Sequence, residues 1–144
     1  MKIRQLSVFL ENKVERLSEA CRILAKDGIN IIASNLADTS DFDIFRMIVN
    51  KPEIAKKILK ENNFTVLENE VVALDIEDKP GGLAYVLEIL EKEKINIEYF
   101  YVLARREPEK ITFIFKFKDT DTALKVLKEN GIRVYKNEEI IRGN

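Results

Sequence analysis

A chain of 144 residues that is 46% hydrophobic and 34% charged has too many apolar residues to stay disordered and too many charges to enter a membrane, which specifies a soluble globular fold. Its 24 basic and 25 acidic residues leave a formal net charge of −1, so no global field draws in nucleic acid or an acidic membrane surface. There is no histidine and Cys21 is the sole cysteine, which removes the commonest general base, the catalytic arrangements built on it, most zinc sites and any intramolecular disulfide.

The start, Met1 to Arg4, runs straight into a strand pattern without a signal-peptide core, and a cytoplasmic location is expected. Leu6 to Leu10 has the length of a buried strand. Leu17, Ala20, Cys21 and Leu24 follow at i, i+3, i+4 and i+7, one face of a helix that covers a sheet, and Gly28 stops it. Ile29 to Leu36 and Phe42 to Val49 read as two strands of a hairpin around Asp38 to Asp41. A second helix is expected from Pro52 to Asn62 and Asn63, and then a short strand, Thr65 to Leu67.

From Val71 the same series begins again. Val71 to Glu77 reads as a strand, and Leu83, Val86, Leu87 and Leu90 form a helical stripe. Ile95 to Leu103 and Ile111 to Phe117 form a hairpin around Arg105 to Lys110. A helix is expected from Asp119 to Asp121 as far as Asn130 and Gly131, with Ile132 to Tyr135 as closing strand.

The two series are copies. Leu17 falls on Leu83, Glu11 on Glu77, Lys13 on Lys79, and Ile29-Asn30-Ile31 on Ile95-Asn96-Ile97. Beyond an insertion in the second hairpin loop, Leu59 to Asn62 fall on Leu127 to Asn130, and Val66 falls on Val134. The order strand, helix, strand, strand, helix, strand predicts an α+β chain of two tandem ferredoxin-like βαββαβ units, residues 1–69 and 70–144. Each is an antiparallel sheet with helices on one face. Glu68 to Glu70 is too short for a free linker, so the units are expected to pack together.

Few residues invite chemistry. Cys21 sits on a core stripe, where a thiol acts as a small hydrophobe. The acid pairs Asp41 with Asp43 and Asp119 with Asp121 fall where turns and helix starts take acids anyway, so no metal site is expected. Phe113, Phe115 and Phe117 line one strand face beside Tyr99 and Tyr101. An RNA-binding sheet also carries such a row, but the glycines and basic residues that accompany it are missing, leaving a packing or subunit face. The segment Asp78-Lys79-Pro80-Gly81-Gly82-Leu83 is the most informative one. Glycine lets a ligand approach the backbone, and the free N–H groups of a helix start suit a carboxylate. The plainer reading of the same spacing is a tight turn.

With this turn, the repeat and the two Ile-Asn-Ile runs in hand, the chain resembles tandem ACT-domain proteins from about Ile3 to Lys136. ACT domains regulate amino-acid metabolism by binding an amino acid where two such domains meet, with the first loop against the ligand. The first copy is also similar to the serine-binding regulatory domain of bacterial phosphoglycerate dehydrogenase, whose ligand-holding asparagines fall on Asn12 and Asn30. Val14 and Glu15 stand where that loop carries Pro-Gly, and Leu10 stands where it has a histidine, which points away from serine itself.

The resemblance implies a stand-alone, non-enzymatic, allosteric sensor of an amino acid or related small acid, working as a homodimer and acting on a metabolic enzyme. No catalytic residue, cofactor, metal, nucleic acid or membrane is implied. The binding residues expected are Asn12, Lys13, Val14, Glu15, Arg16, Leu17 and Asn30 in the first copy, and Asp78, Lys79, Pro80, Gly81, Gly82, Leu83 and Asn96 in the second. The copies are unequal, since the first has the asparagines and the second the glycine turn, so affinity is expected at one kind of seam. The alternative is an assembly module that modulates a separate enzyme without a ligand of its own.

Overall fold

Leu6, Val8 and Leu10 alternate along β1 (Ile3–Glu11) and are buried on one face, the period-two pattern of a covered strand. The helix α1 (Val14–Lys26) turns Ala20 and Leu24 onto that face, with Leu17 and Cys21 packed at its rim, where burial pushes the Cys21 thiol up from its ordinary pKa. Next come the hairpin strands β2 (Ile31–Asp38) and β3 (Phe42–Val49), then α2 (Pro52–Glu61), with Pro52 in its first turn. The computed structural model describes residues 1–11, 14–104 and 108–142.

β4 (Thr65–Glu77) leads to α3 (Gly82–Lys92), the hairpin of β5 (Ile97–Leu103) and β6 (Lys110–Phe117), then α4 (Thr120–Glu129) and α5 (Asn137–Arg142). The chain divides into a unit of Arg4–Asn69 and a unit that takes Glu70 onward together with Met1–Ile3. Within the first the strand order is β2-β3-β1-β4, and within the second β4-β6-β5, with antiparallel pairing. Each unit has its own core. One gathers Leu6, Leu24, Met47 and Leu59, the other Leu74, Leu90, Phe115 and Leu127, so the chain is α+β with two ferredoxin-like units.

The repetition extends to turn geometry. Gly28 (φ 70°) and Lys94 (φ 56°) end the first helix of each unit in the left-handed region, as Asn63 (φ 67°) and Gly131 (φ 69°) end the second. After the first pair, Ile29 donates its N–H to the Leu24 carbonyl at 3.0 Å and Ile95 to the Leu90 carbonyl at 2.9 Å. These are helix C-terminal closures that require a left-handed residue whatever its side chain.

Several expected elements differ in extent. Thr65 to Leu67 and Val71 to Glu77 are parts of one thirteen-residue strand, because Glu68-Asn69-Glu70 holds no glycine or proline to end it. Ile132 to Tyr135 is not a strand. Val134 makes a single bridge to Leu74, and Tyr135 donates to the Ala73 carbonyl at 2.9 Å. The chain then turns into the unforeseen α5, where the Glu139 carboxylate accepts the Lys136 N–H at 2.9 Å. In the aromatic row, a bulge between Ile97 and Tyr99 shifts the register, so Phe100 rather than Tyr99 or Tyr101 lies against Phe115.

Two outcomes follow from this scaffold. Lys94 pays for a left-handed backbone that its counterpart Gly28 adopts freely, so Lys94→Gly should raise stability by about 0.5–1 kcal/mol in urea denaturation. The hydrogen bond from Arg4 holds the Glu68 carboxyl below its ordinary pKa. A group with a lowered folded pKa stabilises above its unfolded value and loses that contribution as pH falls through the folded one. The melting-temperature gap between the wild-type chain and Glu68→Gln should therefore be present at neutral pH and close as the pH falls through and below the ordinary carboxylate range.

Candidate functional site

β4 ends at Glu77, and the chain reverses within four residues to start α3 at Gly82. Two glycines make this reversal possible, for different reasons. Gly81, the N-cap, has φ 82°, and a Cβ on Gly82 would stand 2.0 Å from the Glu77 carbonyl oxygen. Pro80 sets the approach, the Gly82 N–H donates to the Lys79 carbonyl at 3.0 Å, and the Asp78 N–H donates to the Glu109 carbonyl at 2.8 Å. Gly81 offers no side chain to cap α3, so among the described residues the N–H groups of Leu83 and Ala84 have no side-chain cap.

This turn forms one wall of a cleft of about 490 Å3 that lies wholly in the second unit. Its other walls are Asp75, Ile76 and Glu77 from β4, Tyr85 and Val86 from α3, Lys110 at the start of β6, and Gly131, Ile132 and Arg133 after α4. The volume falls in the range of small-molecule sites, about 300–1,000 Å3. Charges of both signs line it. Lys79 and Glu77 pair at 2.7 Å, and their hydrogen bond lowers the carboxyl pKa and raises that of the ammonium. Arg133 lies over the Tyr135 ring at 4.3 Å and pairs with Glu139 at 2.8 Å, which raises its pKa. Asp75 accepts from the Thr112 hydroxyl at 2.7 Å and the Tyr135 hydroxyl at 2.5 Å.

The first unit shows what the same scaffold looks like when this space is filled. Where the repeat puts Gly82 it has Arg16, whose guanidinium lies 3.8 Å from the Phe64 ring centroid and reaches the Asn63 carbonyl at 3.4 Å. Phe64 and Asn63 are the counterparts of Ile132 and Gly131 in the cleft wall. Where the cleft has Asp75 and Lys110, the first unit has Phe9 and Phe42, packed edge to face at 5.4 Å.

The expected binding residues therefore separate. Lys79, Pro80, Gly81 and Gly82 line the cleft, while Asp78 and Leu83 flank it, Leu83 packing on the core. Asn12 and Lys13 lie outside the described residues. Val14 and Glu15 are exposed, Leu17 packs at the core rim, and Arg16 occupies the filled counterpart. Asn30 and Asn96 sit at the far end of their own sheets from these loops. Asn30 exchanges hydrogen bonds with Asn50, and the Asn96 carbonyl accepts from Lys118 at 3.1 Å. In the second unit the separation is the eight-residue β6, roughly 26 Å. Asp75, Tyr85, Lys110, Gly131, Ile132 and Arg133 were not foreseen, because they converge from four parts of the chain. One signal was within reach: Asp75 and Lys110 replace two phenylalanines of the other copy.

Among the described residues no group of three or more potential metal ligands comes together, and no helix is long and apolar enough to cross a membrane. The family model described as an ACT domain pair matches residues 1–142. The crystal structure of protein BT0572 from Bacteroides thetaiotaomicron is similar with TM-score 0.92 and 37% identity, over 99% of this chain and 97% of that one. The ligand-free regulatory subunit of aspartate kinase from Thermus thermophilus shares the fold at TM-score 0.60 and 14% identity, over 88% and 91% of the two chains. Clostridium acetobutylicum aspartate kinase does so at TM-score 0.55 and 15% identity, over 89% of this chain and 32% of that one. No curated protein matches.

The close approach at Gly82 makes a direct prediction. Gly82→Ala must displace the end of β4 or the start of α3, at a cost of about 1–3 kcal/mol in urea denaturation. Arg16→Ala, at the partly exposed counterpart, should cost under about 1 kcal/mol.

Proposed function

The chain belongs to the ACT domain pair family, and from that premise we propose that it is a regulatory sensor that binds an amino acid or related small acid in the cleft beside Gly81 and Gly82. The observation that carries this reading is the contrast between the copies: the space filled by Arg16, Phe9 and Phe42 in the first unit is an open, charged cleft in the second. The family resemblance supplies the ligand class, and the loop involved is the one that ACT domains turn toward their ligands.

In this reading the ligand carboxylate lies against the uncapped N–H groups of Leu83 and Ala84, with Lys110 adding a second positive group. Neither contact depends on a particular ligand side chain. A sensor also needs two states of different affinity, and the proposed one is a homodimer in which a second copy of the chain covers the open side of the cleft. The proposed target is a metabolic enzyme, and the protein itself carries no catalysis. Under the assembly-module alternative, the filled first unit represents the working state of the fold and no small molecule is needed.

The test is a thermal-shift screen of the common amino acids and small organic acids. A ligand at about a hundred times its dissociation constant adds about 2.7 kcal/mol, a rise of roughly 5–15 °C for a chain of this size. Lys110 is exposed, so Lys110→Ala should leave the unliganded melting temperature within a few degrees and weaken binding about tenfold. Absence of a shift with every compound would transfer the reading to the assembly module.

A further inference from the structure

Among the described residues, Asp75 is the carboxylate lining the cleft that has no salt-bridge partner. Glu77 is matched by Lys79 at 2.7 Å and stands opposite Lys110 in the ladder. Asp75 receives only two neutral donors, the hydroxyls of Thr112 and Tyr135, from residues that are themselves 4% and 1% exposed. The Arg133 guanidinium pairs with Glu139 at 2.8 Å and acts on Asp75 through space. An ionised carboxylate has about four acceptor sites, so about two remain. A carboxylate at this half-buried position forgoes the apolar packing that a hydrophobic residue would gain there, which is a cost.

The fold does not impose that cost. In the repeat, Asp75, Thr112 and Tyr135 correspond to Phe9, Ile44 and Leu67, and the ladder pairs Phe9 with Ile44 just as it pairs Asp75 with Thr112. One copy of the scaffold is thus stable with three apolar residues where the other keeps a carboxylate clamped by two buried hydroxyls. The clamp fixes the orientation of the carboxylate without neutralising it, which is the preparation a site needs for an arriving cation.

We infer that Asp75 is the cation anchor of the cleft, so that the ligand class it takes carries an ammonium group together with its carboxylate, and simple carboxylic and 2-oxo acids are discriminated against. This rests on the reading of the cleft as the ligand site. The ammonium sits against Asp75 while the carboxylate meets the start of α3, which orients the ligand along the end of β4. Thr112 and Tyr135 act as positioning residues, through Asp75.

The experiment is calorimetric titration of the full chain with free amino acids and with the carboxylic acid that lacks each amino group, for instance phenylalanine against 3-phenylpropanoate and leucine against 4-methylpentanoate. The amino acid that binds should be favoured over its des-amino partner by at least roughly tenfold, and Asp75→Asn should reduce that preference to less than about threefold. Asp75→Glu, which keeps the charge, should retain part of the preference. If Asp75→Asn does not fold, the triple variant Asp75→Phe, Thr112→Ile, Tyr135→Leu, which copies the first unit, replaces it with the same expected loss. Equal binding of the amino acid and its des-amino partner, or a preference untouched by Asp75→Asn, overturns the inference, and the cleft reading survives if Lys110→Ala still weakens binding. Binding of no pair at all overturns the cleft reading and the inference with it.

Discussion

The end of β4 passes so close to the start of α3 that a Cβ on Gly82 would stand 2.0 Å from the Glu77 carbonyl oxygen. That contact selects for glycine, and the positive φ of Gly81 beside it also favours glycine, by a smaller margin. Since both positions lack side chains, neither fills the cleft beside Ile132 and Gly131. The first unit lacks this double glycine, starts its helix at Val14, and lays Arg16 across Phe64. A backbone contact thus decides which of two similar units has room for a ligand.

Electrostatics follow the same division. The first unit meets the corresponding space with two phenylalanine rings, a dry and self-contained solution. The second lines it with Asp75, Glu77, Lys79, Lys110 and Arg133, charges partly matched by one another and partly left to solvent. Polar groups of this kind contribute little to stability while exposed and gain strength when water is excluded, so their arrangement makes physical sense around an occupant.

Much of the fold was legible because its signals are local. Period-two strands, i, i+3, i+4 stripes and helix-ending residues such as Gly28 and Asn63 each act within a few residues, and duplication stated every signal twice. The misreadings arose where an outcome depends on something distant or on the absence of a signal. The fusion of Thr65 to Leu67 with Val71 to Glu77 depends on Glu68 to Glu70 offering no stop. The shift that sets Phe100 against Phe115 depends on a bulge at Ile97 and Tyr99 that neither residue type announces. Of the candidate site, the glycine turn was legible from its own residues, whereas Asp75, Lys110 and Arg133 reach it through ladder register and chain return. Asn30 and Asn96 were selected by likeness of motif, and strand length sets them at the far end of their sheets.

The Arg16 and Gly82 pair also bears on how a duplicated chain diverges. Arginine and glycine codons can differ by a single base, so this one exchange is a short mutational step. The reverse step is not equivalent, because a Cβ at Gly82 would stand 2.0 Å from the Glu77 carbonyl oxygen and displace the strand or the helix. The two copies are therefore not interchangeable at this position: the side chain that the first unit carries at Arg16 would cost the second a shift of its backbone.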